Sequence, residues 1–491
     1  MPIFLIGMMG SGKTTLGKVL SEILNKEFID IDTEIEKKEN MKIFDIFSEK
    51  GEKYFREIES KVLFELKDQD AIISTGGGII LKNENRNLLK QYKTIFLYVP
   101  IDDIIKRVEI KNRPLLKNGK DALYKIWEER KDLYEEFEKV DLSNLNIYES
   151  AAKIMYKIID ENEEIIENNF QNVVLKPKGL EDLINEKNIF VSNSVNRIYG
   201  NYFNNPYILD DGEKIKNYDN LRNIYSHLIE NKVTRSDKII AVGGGTVTDL
   251  IGYVAATFKR GIKSIFYPTT LLAQVDAALG GKNAVDFNNI KNVIGTFYIP
   301  EKVVIDPLSV ISLTEDNYIE GIIEAFKVAI IDGNIDLFIN NIDKIKKRSL
   351  NTIIDIIKYS SKVKLNIVSK DPYDNNIRKV LNLGHTFGHA FESYTNISHG
   401  LAVGWGIIKE LEIFSKDLKD KNYIIDFLYN IMPKEIFNIK INDNLIKFIV
   451  QDKKIELNKI DIPIIYNIGN VKLEKVDFDS FKTSFIKTFY Y

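Results

Sequence analysis

The sequence predicts an α/β protein with two α/β regions in series, the second followed by a mainly helical region. Over residues 1–160, short apolar segments alternate with charged, amphipathic segments, which is typical of strands connected by helices. A second alternation of the same kind begins near Val173. After about residue 304 the strand pattern fades and long helical patterns dominate.

The individual strands are predicted from continuous apolar runs, which parallel strands show when helices cover both faces of the sheet. In the first region these runs are Ile3–Ile6, Phe28–Ile31, Ala71–Ser74 and Thr94–Val99. In the second region they are Ile189–Val191, Tyr207–Leu209, Lys238–Val242 and Lys263–Tyr267.

The chain is too long for one domain. It has 491 residues, whereas a single hydrophobic core rarely grows beyond about 250–300 residues. Residues 160–169 are polar and strongly acidic, which is typical of a linker. We therefore predict a P-loop-type domain at 1–160, an acidic linker at 161–171, an α/β subdomain at 172–303 and a helical subdomain at 304–491.

Composition excludes several classes of protein. Cysteine is absent, which excludes disulfides, thiolate metal sites and a cysteine nucleophile. Since the 68 basic and 71 acidic residues give a net charge of −3, no nucleic-acid partner is expected. No apolar run approaches the roughly 20 residues of a membrane span, and Ile3–Ile6 resembles a buried strand more than a signal peptide. We expect a cytoplasmic protein.

A phosphate-binding loop is predicted directly after the first strand. The segment Gly7-Met-Met-Gly-Ser-Gly-Lys-Thr14 has the G-x-x-x-x-G-K-T pattern between a strand and a helix. In this pattern Lys13 reaches the β- and γ-phosphates, and the Thr14 hydroxyl binds Mg²⁺. Asp30 and Asp32 follow at a strand end, where one could serve Mg²⁺ and the other an acceptor hydroxyl. The alternative is that one of them caps a helix.

Three more segments of the first region suggest ligand contacts, although each has a simpler reading. The first is Gly51-Glu-Lys-Tyr-Phe-Arg56. The second is the triple glycine Gly76–Gly78, where the backbone either approaches a ligand closely or forms a plain turn. Arg113-Pro-Leu-Leu116 lies in a lysine-rich stretch, as a lid would, although a lone arginine is more often a surface charge.

Together with Arg130-Lys-Asp-Leu-Tyr134, and with the Gly51 motif extended to Glu59, these motifs resemble shikimate kinase over roughly residues 1–160. The resemblance implies ATP-dependent phosphorylation of the shikimate 3-hydroxyl. It places Asp32 at that hydroxyl, Asp30 and Thr14 near Mg²⁺, and Arg56, Arg130 and Gly77 around shikimate. The implied ATP-binding residues are Gly10, Ser11, Gly12, Lys13, Thr14, Thr15 and Arg113.

The second region contains a histidine cluster. Only four histidines occur in the chain, and His385, His389 and His399 fall within fifteen residues. Such clustering in a histidine-poor chain predicts a metal site. His385 and His389 are spaced i, i+4 and share one helix face, so spacing alone proposes both as ligands. The alternative is ordinary core or surface histidines, which is our reading of the isolated His227.

Glycine-rich turns and lysines accompany the cluster. The turn Gly243-Gly-Gly-Thr-Val-Thr-Asp249 follows a strand and opens a helix, which suits a pyrophosphate. Lysines stand beside glycines in Asp276–Lys282 and in Lys291–Gly295. They indicate an anionic substrate, although each lysine alone is more often a surface charge.

These segments, with Asp211–Lys216, Tyr267–Thr270, Gly321–Lys327 and Arg378–His389, resemble 3-dehydroquinate synthase over roughly residues 172–491. The resemblance implies a Rossmann-like NAD-binding subdomain and zinc (or cobalt) ligands Glu324, His385 and His399, with His389 in the substrate pocket instead. The implied NAD⁺ contacts are Asp211, Gly212, Glu213, Lys214, Ile215, Lys216, Gly245, Thr246, Val247, Thr248, Asp249, Thr269, Thr270, Lys282, Lys291, Ser309, Val310, Ile311 and Ser312. The implied substrate or catalytic residues are Asp276, Lys282, Asn292, Lys327, Lys364, Asp374, Arg378, Asn382 and either Lys453 or Lys454. At Asp374 this family usually has Glu.

The two resemblances together imply a fused enzyme with two activities. One is shikimate phosphorylation by ATP and Mg²⁺, and the other converts 3-deoxy-arabino-heptulosonate 7-phosphate to 3-dehydroquinate with catalytic NAD⁺. Small molecules are the expected partners, with no membrane partner, and a homodimer through the synthase half is expected. Three alternatives stay open: a metal-dependent polyol dehydrogenase in the second half, a kinase for another sugar acid in the first, or a non-catalytic module in either.

Overall fold

The computed structural model describes residues 1–107, 121–288, 290–415, 418–439, 445, 458–481 and 483. It divides into two compact units, one of residues 1–160 with 347–350 and one of residues 161–346 with 351–491. In the described ranges no helix is both long enough and apolar enough to cross a membrane.

The first unit is a five-stranded parallel sheet with helices between the strands. Its strands are β1 (Ile3–Ile6), β2 (Glu27–Asp30), β3 (Ala71–Ser74), β4 (Lys93–Tyr98) and β5 (Glu138–Asp141), in the order β2-β3-β1-β4-β5. Its helices are α1 (Lys13–Leu24), α2 (Ile31–Glu39), α3 (Ile43–Glu49), α4 (Gly51–Leu66), α5 (Asn83–Leu89), α6 (Ile101–Arg107), α7 (Asp121–Tyr134) and α8 (Ile147–Ile158). The four predicted strands are confirmed to within one residue at each end. The charged edge strand β5 was not predicted, because only Val140 of its four residues is buried.

The second unit begins with a seven-stranded sheet. Its strands are β6 (Glu164–Ile165), β7 (Val173–Leu175), β8 (Ile189–Ser192), β9 (Tyr207–Leu209), β10 (Lys238–Gly243), β11 (Lys263–Pro268) and β14 (Lys302–Ile305), in the order β6-β7-β14-β11-β10-β8-β9. Helices α9 (Asn193–Tyr199), α10 (Tyr218–Glu230) and α11 (Gly245–Thr257) connect them. Strands β12 (Lys282–Phe287) and β13 (Ile290–Phe297) form a hairpin, which is a separate two-stranded sheet.

Strands occur at two places where the sequence predicted a linker or a domain boundary. The segment 161–171, expected to be a linker, contributes β6, which pairs antiparallel with β7. Its two residues are exposed, so their sequence carries no burial signal. The expected boundary at residue 303 falls within β14, a short strand bonded to β7 and β11.

The rest of the second unit is mainly helical, as predicted. Its helices are α12 (Leu308–Ile311), α13 (Glu315–Asp332), α14 (Asp336–Ile339), α15 (Ile342–Lys346), α16 (Leu350–Lys370), α17 (His385–Thr395), α18 (His399–Phe414) and α19 (Lys421–Ile431). A hairpin of β15 (Lys459–Asn467) and β16 (Asn470–Asp477) was not predicted. Apolar and polar residues alternate on both sides of Gly469, a pattern that predicts a hairpin. We did not recognise it because the surrounding sequence has a helical pattern.

Candidate active sites

The loop between β1 and α1 has the shape of a phosphate cradle. Gly10 and Gly12 have φ angles of 82° and 91°, a region that side chains disfavour, so this turn needs glycine. It directs the N-terminus of α1 outward, and helix N-termini attract anions. The Lys13 ammonium donates to the carbonyls of Gly7 and Met8, both at 2.9 Å, and is therefore folded over the loop.

A cavity of about 580 Å³ opens beside this loop, and residues 10–15 line it. At its edge the Thr14 hydroxyl donates to Asp30 Oδ2 at 2.9 Å. The other oxygen of Asp30 accepts the N–H of Thr33 at 3.3 Å and caps α2, so the capping alternative is correct for this residue. Hydroxyl and carboxylate oxygens are ligands that Mg²⁺ prefers. The donor set of Thr14 and Asp30 therefore fits magnesium.

A second pocket of the first unit combines carboxylates with guanidinium groups. Arg56 Nη1 lies 2.6 Å from Glu59 Oε2, and its Nη2 lies 3.1 Å from Glu52 Oε1. One oxygen each of Asp32 and Glu59 is buried with no hydrogen-bond partner among the described residues. Buried polar atoms are seldom left without a partner, so this pocket is suited to a polar ligand.

The triple glycine forms one wall of this pocket. A Cβ at Gly76 would lie 2.4 Å from Glu59 Oε1, and one at Gly78 would lie 2.3 Å from Arg56 Nη1. Side chains at these two positions would therefore fill the space that the charged groups occupy. The Gly77 carbonyl accepts from Arg130 Nη1 at 2.9 Å and from the Tyr134 hydroxyl at 2.6 Å. The second predicted guanidinium is thus held against the glycine loop.

Asp32 has an unusual acid–base environment. Burial and the nearby charges of Glu59 and Asp30 raise the pKa of Asp32 to about 7, against the opposing effect of Lys13 and Arg56. A carboxyl group with a pKa near the working pH is well suited to proton transfer. Glu59, to which the sequence analysis gave no role, contributes to this shift.

In the second unit, the predicted NAD⁺ contacts gather at the carboxyl ends of the parallel strands. Thr269, after β11, donates its N–H to the Gly243 carbonyl at the end of β10 at 2.9 Å. Asp211, after β9, accepts from the Ser194 hydroxyl at 2.7 Å. Gln274 donates to the Ser309 hydroxyl at 3.1 Å, which brings the 309–312 turn to the same edge. In open α/β sheets such an edge is where ligands bind.

Lys216 is the charged centre of this crevice. It is buried and lies 2.9 Å from Asp249 Oδ2 and 3.2 Å from Glu213 Oε1. Its ammonium also donates to Asn292 Oδ1 from β13. Burial raises the pKa of Asp249 to about 6 although Lys216 opposes the shift. This cluster links the predicted NAD⁺ contacts to the hairpin that carries the predicted substrate contact Asn292.

The two lysines of the β12–β13 hairpin contact the helical part of the unit. Lys282 Nζ lies 2.6 Å from Asp374 Oδ2, and Lys291 Nζ lies 2.6 Å from Glu392 Oε1. Asp374, where the synthase family usually has Glu, has a φ of 59°. Among non-glycine residues Asp and Asn adopt that conformation most readily, so the shorter side chain also suits the turn.

Three buried cations line the space between the crevice and the helices. Lys364 donates to Asp276 Oδ1 at 2.5 Å, and Lys327 lies 2.5 Å from Glu324 Oε2. Arg378 donates to the carbonyls of Gly280 and Pro372 at 3.2 and 2.8 Å. Burial lowers the pKa of Lys364 although Asp276 opposes the shift. Basic side chains of this kind are suited to charge-assisted hydrogen bonds with an anionic ligand.

Glu324 and two histidines form a candidate metal centre. Glu324 Oε1 lies 3.8 Å from the Nε2 atoms of both His385 and His399, and no described group hydrogen bonds to it. Ligand atoms around a tetrahedral zinc lie about 3.3 Å apart for bonds of about 2.0 Å. The distance from Glu324 Oε1 to each of the two histidine nitrogens exceeds that value by only about 0.5 Å. Burial lowers the pKa of His385 well below its usual value and keeps the imidazole neutral, as a ligand must be.

His389 lies in the same cluster. Ligand atoms of His385, His389 and His399 all fall within 4.8 Å of one another, so two sets of three ligands are geometrically available. Both sets contain His385 and His399, and they differ in Glu324 or His389 as the third. A carboxylate with two imidazoles is a common catalytic zinc set, and so are three imidazoles.

Tight packing of two helices positions these histidines. His385 is the first residue of α17 and His399 the first of α18. A Cβ at Gly406 of α18 would lie only 2.0 Å from the Gly384 carbonyl, so the helices touch backbone to backbone there. The Glu410 carboxylate also accepts the N–H of Gly384 at 2.8 Å. Together these contacts hold the two metal-facing helix ends in register.

We expect Gly406→Ala to destabilise the second unit by about 3 kcal/mol, near the upper end of ordinary overpacking costs. In an open helix the same change stabilises by about 1 kcal/mol, so the sign of the effect is informative. Glu412→Ala is the matched control, since Glu412 lies on the same helix and its ion pair among the described residues is with Lys409 of that helix. Denaturant unfolding measures both, and an unchanged or raised stability of Gly406→Ala would contradict the packing described here.

Several predicted residues cannot be placed in either site. Arg113, Lys453 and Lys454 lie outside the described residues. Asn382 is the last residue of the 3₁₀ segment Ile377–Asn382, which also contains the predicted substrate contact Arg378. Sequence reasoning missed Glu392, although its i+7 spacing from His385 could have revealed it.

Comparisons with known proteins agree with this geometry. The shikimate kinase family model matches residues 9–163, and the N- and C-terminal 3-dehydroquinate synthase models match residues 206–320 and 321–455. A 2-deoxy-scyllo-inosose synthase structure with carbaglucose-6-phosphate, NAD⁺ and Co²⁺ has a TM-score of 0.58 at 22% identity. It covers 67% of this chain and 100% of its own, and at that identity it shows a shared fold.

Two relatives are similar in sequence. The 3-dehydroquinate synthase of Thermoplasma volcanium is 40% identical over 306 residues, covering 58% of this chain and 83% of its own. The bifunctional shikimate kinase/3-dehydroquinate synthase of Thermotoga maritima is 42% identical over 487 residues, covering 97% of this chain and 98% of its own. With such identity over nearly the whole length of both proteins, the chain belongs to the family of bifunctional shikimate kinase/3-dehydroquinate synthases.

Proposed function

We propose that the chain phosphorylates shikimate with ATP in its first unit and makes 3-dehydroquinate from 3-deoxy-arabino-heptulosonate 7-phosphate in its second. The single observation that carries the proposal is full-length similarity to a bifunctional relative, and each unit contains a candidate site that agrees with it. Incubating the purified chain with each substrate set separately tests it, with shikimate 3-phosphate and 3-dehydroquinate as the expected products.

In the kinase reaction, the phosphate loop and Lys13 hold the β- and γ-phosphates of ATP. Thr14 and Asp30 would hold Mg²⁺, which would supply positive charge to offset that of the transferring phosphoryl group. Arg56 and Arg130 bind the shikimate carboxylate, because a guanidinium pairs with both of its oxygens. Asp32 then takes the proton of the attacking 3-hydroxyl. Arg113 is proposed to close over ATP.

The pKa of Asp32 leads to a pH prediction. Only the deprotonated carboxylate can accept the hydroxyl proton, so kcat/KM for shikimate should rise with pH through about 7, the raised pKa of Asp32. Asp32→Asn should lower the activity strongly, and the residual activity should lack this acidic limb. The measurement is the pH profile of kcat/KM, which reports the free enzyme. A flat profile through neutral pH would rule out Asp32 as the base.

In the synthase reaction, the strand-edge segments would hold NAD⁺, which would supply reversible hydride transfer at the substrate alcohol, so that no net oxidation occurs. Glu324, His385 and His399 would hold a divalent metal, zinc or cobalt, which would supply the Lewis acidity that lowers the pKa of that hydroxyl. The cations Lys327, Lys364 and Arg378 bind the carboxylate and phosphate of the substrate. Asp276 is proposed to hold Lys364 in place.

The remaining synthase residues position the substrate and the dinucleotide. His389 moves a proton or hydrogen bonds to the substrate, and Asn292 and Asn382 supply further hydrogen bonds, with Lys453 or Lys454 at the phosphate. The strand-edge segments 211–216, 245–249, 269–270 and 309–312 hold NAD⁺, together with Lys282 and Lys291. An NAD-dependent polyol dehydrogenase would instead release NADH, so phosphate release without NADH distinguishes the two reactions.

Asp374 gives a further prediction. Its Oδ2 pairs with Lys282, and its N–H donates to the Asp371 carbonyl at 3.3 Å within a turn. Asp374→Asn keeps the preference for that turn but loses the charge. We expect it to lower synthase kcat/KM about 10-fold, or ~1.4 kcal/mol, at unchanged melting temperature. Equal kcat/KM in wild type and Asp374→Asn would limit this residue to turn formation.

We also propose that the boundary between the activities lies within residues 161–171, next to the division between the compact units. The proposed assembly is a cytoplasmic homodimer joined through the synthase half, without nucleic-acid or membrane partners. The family resemblance supports the dimer, and the net charge of −3 supports the absence of a nucleic-acid partner. Light scattering of the purified chain tests the dimer.

A further inference from the structure

One carboxylate outside the proposed ligand set faces a metal-ligating histidine. Residues His385, His389 and Glu392 are spaced i, i+4 and i+7 along α17, so they share one face of the helix. The chain then turns through residues 396–398 and starts α18 at His399. Glu392 near the end of α17 thus meets the first residue of α18, and its Oε2 lies 2.9 Å from His399 Nδ1.

This contact fixes which nitrogen of His399 is available to a metal. Since a carboxylate only accepts hydrogen bonds, Nδ1 must carry the proton, and the lone pair of the neutral ring then lies on Nε2. Nε2 is the atom that faces Glu324 Oε1, at 3.8 Å. His385 has the same arrangement, with Nδ1 lying 3.1 Å from the carbonyl of Leu383. Both imidazoles therefore present Nε2 to one point.

The negative charge of Glu392 also offsets an electrostatic effect that disfavours a metal cation at this site. A metal ligated by His399 would lie near the N-terminus of α18, and the positive end of a helix dipole disfavours a cation. The negative charge of Glu392 offsets that effect. Lys291 of β13 holds its second oxygen, with Nζ lying 2.6 Å from Oε1, so both oxygens of this carboxylate are occupied.

We propose that Glu392 is a positioning residue for the metal centre, which orients His399 and strengthens metal binding, and that Lys291 holds Glu392 in place. This role for Lys291 is additional to its proposed NAD⁺ contact. The side chain of Lys291 is 60% exposed and that of Glu392 only 18%. Because exposed ion pairs contribute little, losing Lys291 should matter less than losing Glu392.

The inference rests on the proposed metal site, and metal affinity tests it without reference to turnover. The full-length chain is freed of metal with a chelator and titrated with Co²⁺, and its visible absorption reports ligand geometry. Loss of such an outer hydrogen bond commonly weakens metal binding about 10- to 100-fold. We expect that range for Glu392→Ala, about 10-fold for Glu392→Gln, which keeps an acceptor without the charge, and less for Lys291→Met.

Glu412→Gln on α18 is the matched control, since it removes the same charge from a residue that pairs with Lys409, and it should bind Co²⁺ as wild type does. Should Glu392→Ala bind Co²⁺ within twofold of wild type and with the same spectrum, this inference is wrong while the metal site stands. If wild type binds no Co²⁺ at all, the proposed metal site and this inference both fail.

Discussion

Replacement of Lys13 by methionine should abolish shikimate phosphorylation and leave 3-dehydroquinate formation unchanged. The Lys13 ammonium is folded over the phosphate loop, where it donates to two carbonyls and would meet the phosphates of ATP. Removing a group that stabilises charge at a transition state commonly lowers kcat about 100-fold or more. Methionine keeps the buried aliphatic stem, so the loop should stay folded.

Steady-state kinetics of both reactions on one preparation measure this effect. Lys37→Met is the matched control, because the Lys37 side chain is 68% exposed and forms a surface ion pair with Glu34. It should leave both activities as in wild type. A folded Lys13→Met protein that has lost both activities would show that the two sites depend on each other, and one that keeps its kinase activity would remove Lys13 from the site.

Replacement of Glu324 by alanine should empty the metal centre and abolish 3-dehydroquinate formation, with shikimate phosphorylation intact. A centre of three protein ligands with an open position loses its metal when one ligand is removed. His385→Ala should behave in the same way. His389→Ala should keep the metal and slow turnover about 100-fold, a typical loss for a proton-transfer group.

Metal analysis of the purified variants distinguishes the two available ligand sets. Both contain His385 and His399, so only the comparison of Glu324 with His389 is informative. A filled site in Glu324→Ala together with an empty site in His389→Ala would identify the three histidines as the ligands. The spacing prediction from His385 and His389 would then be right, and the set implied by the family resemblance would be wrong.

The sequence predicted the fold class because strong apolar runs identify buried parallel strands such as β1, β3, β10 and β11. It missed β5, whose residues are largely exposed, and β6, which consists of two exposed residues. Short edge strands are stabilised by bonding to a neighbour, so their own sequence carries little signal. The hairpin β15–β16 was missed for a different reason, since its alternation was present but lay within a helical region.

For the candidate sites as well, the sequence revealed some features and not others. Local motifs such as the phosphate loop or the histidine cluster were recognisable because their residues are close in the chain. Contacts between distant segments were not, as with Lys282 and Asp374, which are separated by 92 residues, or Lys291 and Glu392, separated by 101. Glu59 acquires its effect on Asp32 only through burial beside it, which no local pattern reveals.

Phosphorus NMR of one sample tests the central claim most directly. The purified chain is supplied with ATP, Mg²⁺, shikimate, 3-deoxy-arabino-heptulosonate 7-phosphate, Zn²⁺ and substoichiometric NAD⁺. The account predicts conversion of ATP to ADP with equal formation of shikimate 3-phosphate, while the heptulosonate phosphate signal is replaced by inorganic phosphate in excess over NAD⁺. Formation of ADP without a new phosphate monoester, or phosphate release that stops at one equivalent of NAD⁺, would contradict it.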